Sequence, residues 1–300
     1  MDLAIHIATA QRSELLARTL RSLAECDLPD CYRRTVIIEN GPQSGVESVV
    51  RAAPQCLNAH YLHCPQANKS VALNAGLEAA NDELIFYTDD DVRLSPVILE
   101  AYTAAAEAGP GHFFGGPMDA DYEIAPPDWL RRYLPPSVTG WAWNGPDGKR
   151  KIPRFLGANW AAFASDLRTV GGFDTDLGPG TAAGGTGEET YLQRRLVQRG
   201  LIATYLPAAR VWHYVPADRC SETWAIQRIF RSGIEDAAGS AAHPSHFGLP
   251  PWWMLRRYLA GIARSMVWSL STEHQRRFLA KYRRSYDRGL LHGLRCQRSA

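Results

Sequence analysis

The sequence lacks any run of about 18 apolar residues, the length that a helix needs to cross a bilayer. Its first residues, Met1 to Ala8, also lack the basic segment and the long apolar segment of a secretory signal peptide. These two absences exclude a membrane-spanning helix and a leader of the usual kind. We therefore expect a protein that is neither exported nor membrane-spanning.

The sequence has few cysteines and no large excess of positive or negative charge. The six cysteines form no C-x-x-C pair and no zinc spacing, and disulfide frameworks are typical of much shorter secreted chains. We expect reduced thiols and a cytoplasmic location. The 33 Lys and Arg nearly balance the 31 Asp and Glu, leaving a net charge of +2. Such a balance argues against wrapping a nucleic acid, so we expect no nucleic-acid partner.

Short apolar segments alternate with amphipathic ones in the first hundred residues. The predicted strands and helices are Leu3–Ala8, Glu14–Glu25, Thr35–Glu39, Ala59–His63, Ser70–Ala80 and Glu83–Thr88, of which the second and fifth are helical. This order predicts a Rossmann-like α/β fold with a mostly parallel central sheet. Ligands of such sheets bind at the carboxyl ends of the strands, so we expect the site beyond residues 8, 39 and 88.

The second half of the chain is less regular. Residues 109 to 158 are rich in Gly, Pro and Trp and predict irregular structure, which at this length is usually functional. A helix is predicted over Glu188–Arg199 and a strand over Leu201–Leu206. We expect a domain over residues 1–235, with a nucleotide-binding half at 1–108 and an acceptor and catalytic half at 109–235.

A basic amphipathic segment follows, and we expect a helical extension over residues 236–300. From Pro250 onward, one helical face carries Trp252, Leu255, Leu259, Ile262, Met266 and Leu270. Two interpretations remain open. The face lies on an anionic membrane as a peripheral contact, where a lipid-linked acceptor would be found, or it docks on the rest of the protein while the basic residues are solvated.

The most informative motif is a strand that ends in three carboxylates, Asp89, Asp90 and Asp91. Adjacent carboxylates repel one another beside an apolar sheet unless a cation compensates them. Mn²⁺ and Mg²⁺ prefer oxygen ligands and bridge phosphates, so the triplet indicates a metal that holds a diphosphate. The alternative is a solvated acidic turn. The position at the carboxyl end of a strand favours the metal.

A second acidic motif, Glu188-Glu189, opens a predicted helix after a glycine-rich loop. The positive end of a helix dipole stabilises ionised carboxylates, and a general base must be ionised before it takes a proton. The structural alternative is a capping box, because Thr186 and Glu189 have its spacing.

These motifs resemble, in order, those of the family 2 glycosyltransferases, inverting enzymes of the GT-A fold. Ile7–Arg12 is similar to the opening P-T-x-N-R turn, with Ala8 for Pro and Gln11 for Asn. Val36–Gly41 resembles the second strand, where Glu39 replaces the usual base-contacting Asp, and Lys69–Gly76 resembles K-[SA]-x-A-L-N-x-G. The resemblance, which covers residues 3 to 235, implies nucleotide-sugar contacts from Thr9, Arg12, Glu39, Lys69, Asp89 and Asp90.

The remaining motifs imply the catalytic and metal residues. The Asp triplet resembles the D-x-D signature, which implies a Mn²⁺ or Mg²⁺ site at Asp89 and Asp91. Val211–His213 is similar to a late strand whose His completes the metal shell in some members, although a lone His is often structural. Gly171–Asp174 and Gly187–Glu189 resemble G-G-F-D and G-E-D, which makes Glu189, one methylene longer than Asp, the counterpart of the catalytic base, with Glu188 beside it.

On the acceptor side, the resemblance points to Asn159 and Trp160. Aromatic rings such as Trp129, Trp141 and Trp143 stack on sugars in some sites, but ordinary core packing explains at least half of them.

Together, the motifs predict metal-dependent, inverting transfer of a sugar, UDP-linked by family frequency, to a hydroxyl of a glycan, a lipid-linked molecule or a small molecule. We expect a role in polysaccharide or related glycan biosynthesis. Two alternatives were weighed. A nucleotidyltransferase normally has a glycine-rich phosphate loop after its first strand, and Ala8–Ser13 contains no Gly. A catalytically inactive, nucleotide-sugar-binding scaffold would be expected to lose its acidic sets, and both are present.

Overall fold

The computed structural model describes residues 1–144, 154–180, 187–239, 252–269 and 271–296. Within them the chain forms two compact units. The first comprises Met1–Glu123, Pro135–Thr181 and Gly187–Val215, and the second includes Ile124–Leu134 and the chain from Pro216 onward.

The first unit is built on ten strands. They are β1 (Leu3–Thr9), β2 (Tyr32–Asn40), β3 (Ala59–Cys64), β4 (Leu84–Asp89), β5 (Val92–Leu94), β6 (His112–Gly115), β7 (Met118–Tyr122), β8 (Trp160–Phe163), β9 (Ile202–Tyr205) and β10 (Val211–Val215). The larger sheet has the order β3-β2-β1-β4-β8-β6-β9. Its neighbours are parallel except that β8 runs antiparallel to both β4 and β6. The predicted α/β architecture with a mostly parallel sheet is confirmed.

Helices cover both faces of this sheet. The helices of the first unit are α1 (Ser13–Ala24), α2 (Val46–Arg51), α3 (Lys69–Glu78), α4 (Ile98–Ala106), α6 (Pro136–Thr139), α7 (Ala164–Thr169) and α8 (Glu188–Gln198). Strand β4 is apolar because both of its faces are covered. Leu84 and Phe86 belong to the core that contains α1, whereas Ile85 and Tyr87 belong to the core that contains α3. Burial on both faces fixes the strand and determines where its acidic end emerges.

A smaller sheet has the order β5-β10-β7, and its strand β7 lies in the segment that was predicted to be irregular. Residues 109–158 contain β6, β7, α6 and the short helix Asp128–Arg131, so the prediction of irregular structure there is wrong for these residues, while 145–153 lie outside the described part. The strands are short and separated by Gly-Gly-Pro, which leaves no periodic pattern to detect. Strand β10 pairs His213 with Val92 of β5, which brings this His next to the strand that follows Asp91.

The second unit is helical. Its helices are α5 (Asp128–Arg131), α9 (Glu222–Gly239), α10 (Trp252–Ser269) and α11 (His274–Cys296). The predicted helical C-terminal region is confirmed, but the predicted division at residue 235 falls inside α9, so the helical unit begins earlier. No helix in the described ranges combines the length and apolarity that crossing a bilayer requires.

Glycine and aromatic residues hold this unit together. A Cβ at Gly289 of α11 would lie 1.9 Å from the carbonyl oxygen of Phe230 in α9, so the two backbones are in direct contact. At the other side of α11, Trp129 packs against Phe278 with ring centroids 5.2 Å apart. Trp129 is thus half-buried and packs against α11, which agrees with the packing interpretation of the tryptophans.

Candidate active site

The ends of β1, β2 and β4 lie side by side and carry the predicted site. Ala8 of β1 is in register with Asp89 of β4, and Thr9 is in register with Glu39 of β2. Parallel pairing thus assembles at one sheet edge three segments that are far apart in the chain. This is the edge that the alternation of strands and helices predicted.

Asp90 is the most deeply buried of the three aspartates. It is fully buried and accepts a hydrogen bond of 2.5 Å from the Thr9 hydroxyl, while the Arg12 guanidinium lies 2.9 Å from its other oxygen. Burial raises the pKa of Asp90 to about 6, although the charge of Arg12 opposes this shift. Thr9 is also buried. The pair faces inward and ties β1 to β4, so it offers no open surface to a nucleotide.

Asp89, Asp91 and His213 form a group that could hold a metal ion. One ligand atom from each lies within 4.8 Å of the others, and within the described residues no second group of His, Cys, Asp and Glu meets this criterion. His213 Nε2 is 3.3 Å from Asp91 Oδ1, and Arg12 is 2.6 Å from the other carboxylate oxygen of Asp91. Two carboxylates and an imidazole suit Mn²⁺, and Mg²⁺ prefers oxygen more strictly.

Lys69 connects the two acidic motifs. Its ammonium lies 2.8 Å from Asp89 Oδ1 and 3.5 Å from Glu188 Oε1. Burial disfavours the charged ammonium, but Asp89 and Glu188 together raise the pKa of Lys69 above its usual value. Helix α3, which begins at Lys69, therefore places a permanent positive charge between the strand end and the start of α8.

Glu188 and Glu189 differ in their surroundings. The N-cap of α8 is Gly187, whose backbone lies in the left-handed region with φ 97°. Glycine has no side chain that could form a capping box. Thr186, the residue with the capping-box spacing, lies outside the described residues. Glu188 is buried beside Lys69. Burial, with the charge of Glu188, raises the pKa of Glu189 to about 8. Glu189 therefore holds a proton at neutral pH in this arrangement and takes one readily when ionised.

Glu39 is held by two residues that the sequence motifs did not indicate. The Ser44 amide and hydroxyl both donate to one Glu39 oxygen at 2.7 Å, and the Tyr61 hydroxyl donates to the other at 2.5 Å. Burial opposes ionisation, but these hydrogen bonds lower the pKa of Glu39. The extra methylene relative to Asp lets the carboxylate reach Ser44. Ser44 follows the end of β2, a position that could have indicated it, whereas Tyr61 lies within β3 and carried no such signal.

The structure does not support acceptor contacts for Asn159 and Trp160. Asn159 is fully buried: its amide donates to the carbonyls of Pro117 and Ala209, and it accepts a hydrogen bond from Tyr102. Trp160 is 1% exposed and stacks on Tyr87 with centroids 5.0 Å apart. Both positions support the sheet, because β8 is an internal strand whose side chains are covered on both faces.

The G-G-F-D loop is fastened to α3. Asn74 exchanges two hydrogen bonds with the Phe173 backbone, at 2.8 and 2.7 Å, and Arg195 of α8 donates to the carbonyl of Val170 at 2.7 Å. Gly171 and Gly172 both have positive φ, which a side chain would disfavour. These contacts tie the motif to α3 and α8.

Comparison with known proteins shows the family. Residues 4–167 match the model of "Glycosyl transferase family 2". The chain is 30% identical over 243 residues to the succinoglycan biosynthesis protein ExoM of Rhizobium meliloti (strain 1021), covering 76% of this chain and 72% of that protein.

Solved structures extend the comparison to the fold. The mannosyltransferase PcManGT from Pyrobaculum calidifontis, in complex with GDP-Man and Mn²⁺, gives a TM-score of 0.62 at 18% identity over 97% of this chain and 86% of its own. GalNAc-T7 with UDP, GalNAc and Mn²⁺ gives 0.57 at 12% identity over 81% of this chain and 52% of its own. The predicted GT-A fold is confirmed.

Proposed function

Since the chain belongs to glycosyltransferase family 2 and is a transferase, we propose that it moves a hexosyl group from a nucleotide-sugar donor to an acceptor hydroxyl in a metal-dependent, inverting reaction. The observation that carries the proposal is the position of Lys69, which bridges Asp89 of the candidate metal group and Glu188 of the acidic helix start. Lys69 would then lie between the diphosphate site and the site of the general base.

On the donor side, we assign the metal to Asp89, Asp91 and His213. Bound there, Mn²⁺ or Mg²⁺ would neutralise the leaving diphosphate as a Lewis acid. Lys69 and Arg12 add positive charge at the same edge, since Arg12 is bonded to Asp91 and Lys69 to Asp89. We place the nucleotide base near the end of β2, beside Glu39, whose fully buried carboxylate is anchored by Ser44 and Tyr61 and would position this edge.

On the acceptor side, we assign the general base to Glu189. An inverting transfer requires a base that removes the proton of the attacking hydroxyl on the face opposite the leaving group. Glu189 suits this role because its high proton affinity comes with a fixed position at the first turn of α8. Glu188 is held by Lys69 and is the weaker candidate.

The acceptor is proposed to be a hydroxyl of a glycan or of a lipid-linked glycan precursor. ExoM is named for succinoglycan biosynthesis, which supports polysaccharide assembly over modification of a small molecule. The two structural relatives hold GDP-Man and UDP, respectively, so they do not favour one nucleotide. We retain UDP as the proposed carrier. With the family established, a nucleotidyltransferase is no longer a competitor.

Donor hydrolysis tests the proposal directly. The purified protein is incubated with a panel of UDP- and GDP-hexoses and Mn²⁺, and release of the nucleoside diphosphate is measured with and without excess chelator. We expect release from one donor class, lost in chelator, and an inverted anomeric configuration in the product by NMR. Tight donor binding without turnover on any acceptor would instead support the inactive scaffold. Release that continues unchanged in chelator would contradict the metal assignment.

A further inference from the structure

The outward face of α10 is apolar. Trp252 is 76% exposed, Leu259 60%, Met266 63% and Val267 68%, and they make up four of the nine large apolar side chains that are exposed in the described residues. At 3.6 residues per turn these four lie within about 100° of the helix circumference. Exposed apolar area concentrated on one helix face indicates an interaction surface, since single exposed apolar residues are scattered on ordinary surfaces.

The opposite face of α10 packs on α11 within the helical unit. A Cβ at Gly261 would lie 3.0 Å from Asp287 of α11, and the Arg283 guanidinium of α11 lies 5.3 Å from the centroid of the Trp268 ring. The helix is thus anchored by its inner side. Three residues of its periodic apolar pattern, Trp252, Leu259 and Met266, are exposed, so they do not cover the core of this unit.

The C-terminal segment that carries this face is basic. Residues 252 to 300 contain eleven of the 33 Lys and Arg but only two of the 31 Asp and Glu. On α11, the exposed residues Arg277, Lys281, Arg284 and Arg288 follow one another at intervals of four, three and four, which places them on one side of the helix. On α10 itself, exposed Arg256 lies among the apolar residues, where its stem can lie on an apolar surface while its guanidinium reaches water.

We propose that α10 docks in the plane of an anionic phospholipid surface, with Trp252, Leu259 and Val267 in the interface and the basic residues of α10 and α11 at the headgroups. An 18-residue helix covers about 27 Å, enough to lie along a bilayer, and its four-residue apolar face suits shallow insertion. A second copy of the chain fits less well, because a two-fold contact through this face would bring two basic surfaces together.

Vesicle sedimentation tests the surface. The full-length protein is mixed at low salt with phosphatidylcholine vesicles, with or without phosphatidylglycerol. We expect binding only when phosphatidylglycerol is present and release at high salt, because ions screen the exposed charges. The double variant Leu259→Ser with Val267→Ser should weaken binding about 100-fold, since each apolar side chain contributes about tenfold. Lys281→Gln with Arg284→Gln should weaken it about fivefold per charge.

Two controls separate this surface from general effects. Ile202→Ser removes an equally exposed apolar side chain from the first unit, where Ile202 is 56% exposed, and should bind vesicles like the wild type. Analytical ultracentrifugation without vesicles reports self-association. The proposal is overturned if the protein fails to bind anionic vesicles at low salt, or if the apolar double variant binds them as tightly as the wild type. It is also overturned if the wild type is a dimer in ultracentrifugation and the double variant is a monomer.

Discussion

The two acidic sets of the first unit differ in how their charges are compensated. At the end of β4, each aspartate has a cationic or hydrogen-bonding partner: Lys69 for Asp89, Thr9 and Arg12 for Asp90, and Arg12 with His213 for Asp91. At the start of α8, Lys69 compensates Glu188 at 3.5 Å, and within the described residues no cation forms an ion pair with Glu189.

This difference separates roles that the sequence presented as similar. Carboxylates whose oxygens converge with an imidazole, as those of Asp89 and Asp91 do with His213, are suited to hold a metal. Glu189 is half-buried and has no ion pair in the described residues, so its proton affinity is raised and it is suited to take a proton from an attacking hydroxyl. The partners of a carboxylate, and not its membership in an acidic run, therefore indicate its function.

Glu189→Gln should have the largest effect. Glutamine keeps the shape of the side chain but cannot accept a proton, so turnover should fall about 10² to 10⁴-fold while donor affinity barely changes. Glu188→Gln is the matched control and should lower turnover less, because it removes an ion-pair partner of Lys69 and leaves the proposed base in place. Kinetics and melting temperature are measured on the same preparations. Near-normal turnover of Glu189→Gln with an inactive Glu188→Gln would reverse the two assignments.

The pH dependence of kcat/KM should follow Glu189. Its pKa is raised to about 8 by burial and by Glu188, and only the ionised form acts as a base. Activity should therefore rise with pH and level off above about pH 8, with a fall of about 50-fold between pH 8 and pH 6, because the ionised fraction falls by that factor. The rates are measured at saturating Mn²⁺, so that the pH dependence of metal binding does not contribute to the profile. A flat profile from pH 6 to pH 9 would contradict Glu189 as the base.

Asp91→Asn should weaken Mn²⁺ binding by about 10²-fold, since even residues that only support a metal ligand typically contribute 10 to 100-fold. Isothermal titration of Mn²⁺ in the presence of UDP measures this affinity. Asp121→Asn is the control, because Asp121 is bonded to Arg93, 3.1 Å away, and is not part of the candidate metal group. An equal loss of Mn²⁺ affinity in both variants would indicate a general effect of charge and would contradict Asp91 as a metal ligand.

His6→Leu should have the smallest effect and should leave the site unchanged. Burial, with a contribution from Arg34, lowers the pKa of His6 to about 3, whereas the unfolded chain takes up the proton near 6.5. The folded state binds fewer protons in this range, so its stability is full above pH 6.5 and is lost as pH falls toward 3, by about 1.4 kcal/mol per unit.

The variant should therefore lose about 2 kcal/mol less stability than the wild type between pH 7 and pH 5. Urea unfolding at the two pH values measures the difference. Equal losses would show that another group titrates with folding. Because His6 lies in the middle of β1, the result also separates the acid sensitivity of the fold from that of the acidic sets at the sheet edge.

Much of the sheet was readable from local pattern. Strands β1 and β4 were predicted close to their observed bounds because internal strands that are covered on both faces are continuous apolar runs. The prediction found the buried part of β2 and matched the edge strand β3 to within one residue. Helix α8 was found from its glycine boundaries and acidic first turn. Strands β6 and β7 were missed, since they are short, and their partners β9 and β10 lie about 90 residues farther along the chain.

The sequence by itself determined which chemical groups are available: an acidic strand end, an acidic helix start, a lysine at the head of α3 and an apolar face in a basic C-terminal segment. Tertiary structure decided which of them meet. Burial excluded Asn159 and Trp160 from the acceptor side, Lys69 came to lie between Asp89 and Glu188, and the apolar face of α10 turned outward. Residue type and spacing describe one segment at a time, whereas proximity, burial and pKa depend on segments that only the folded chain brings together.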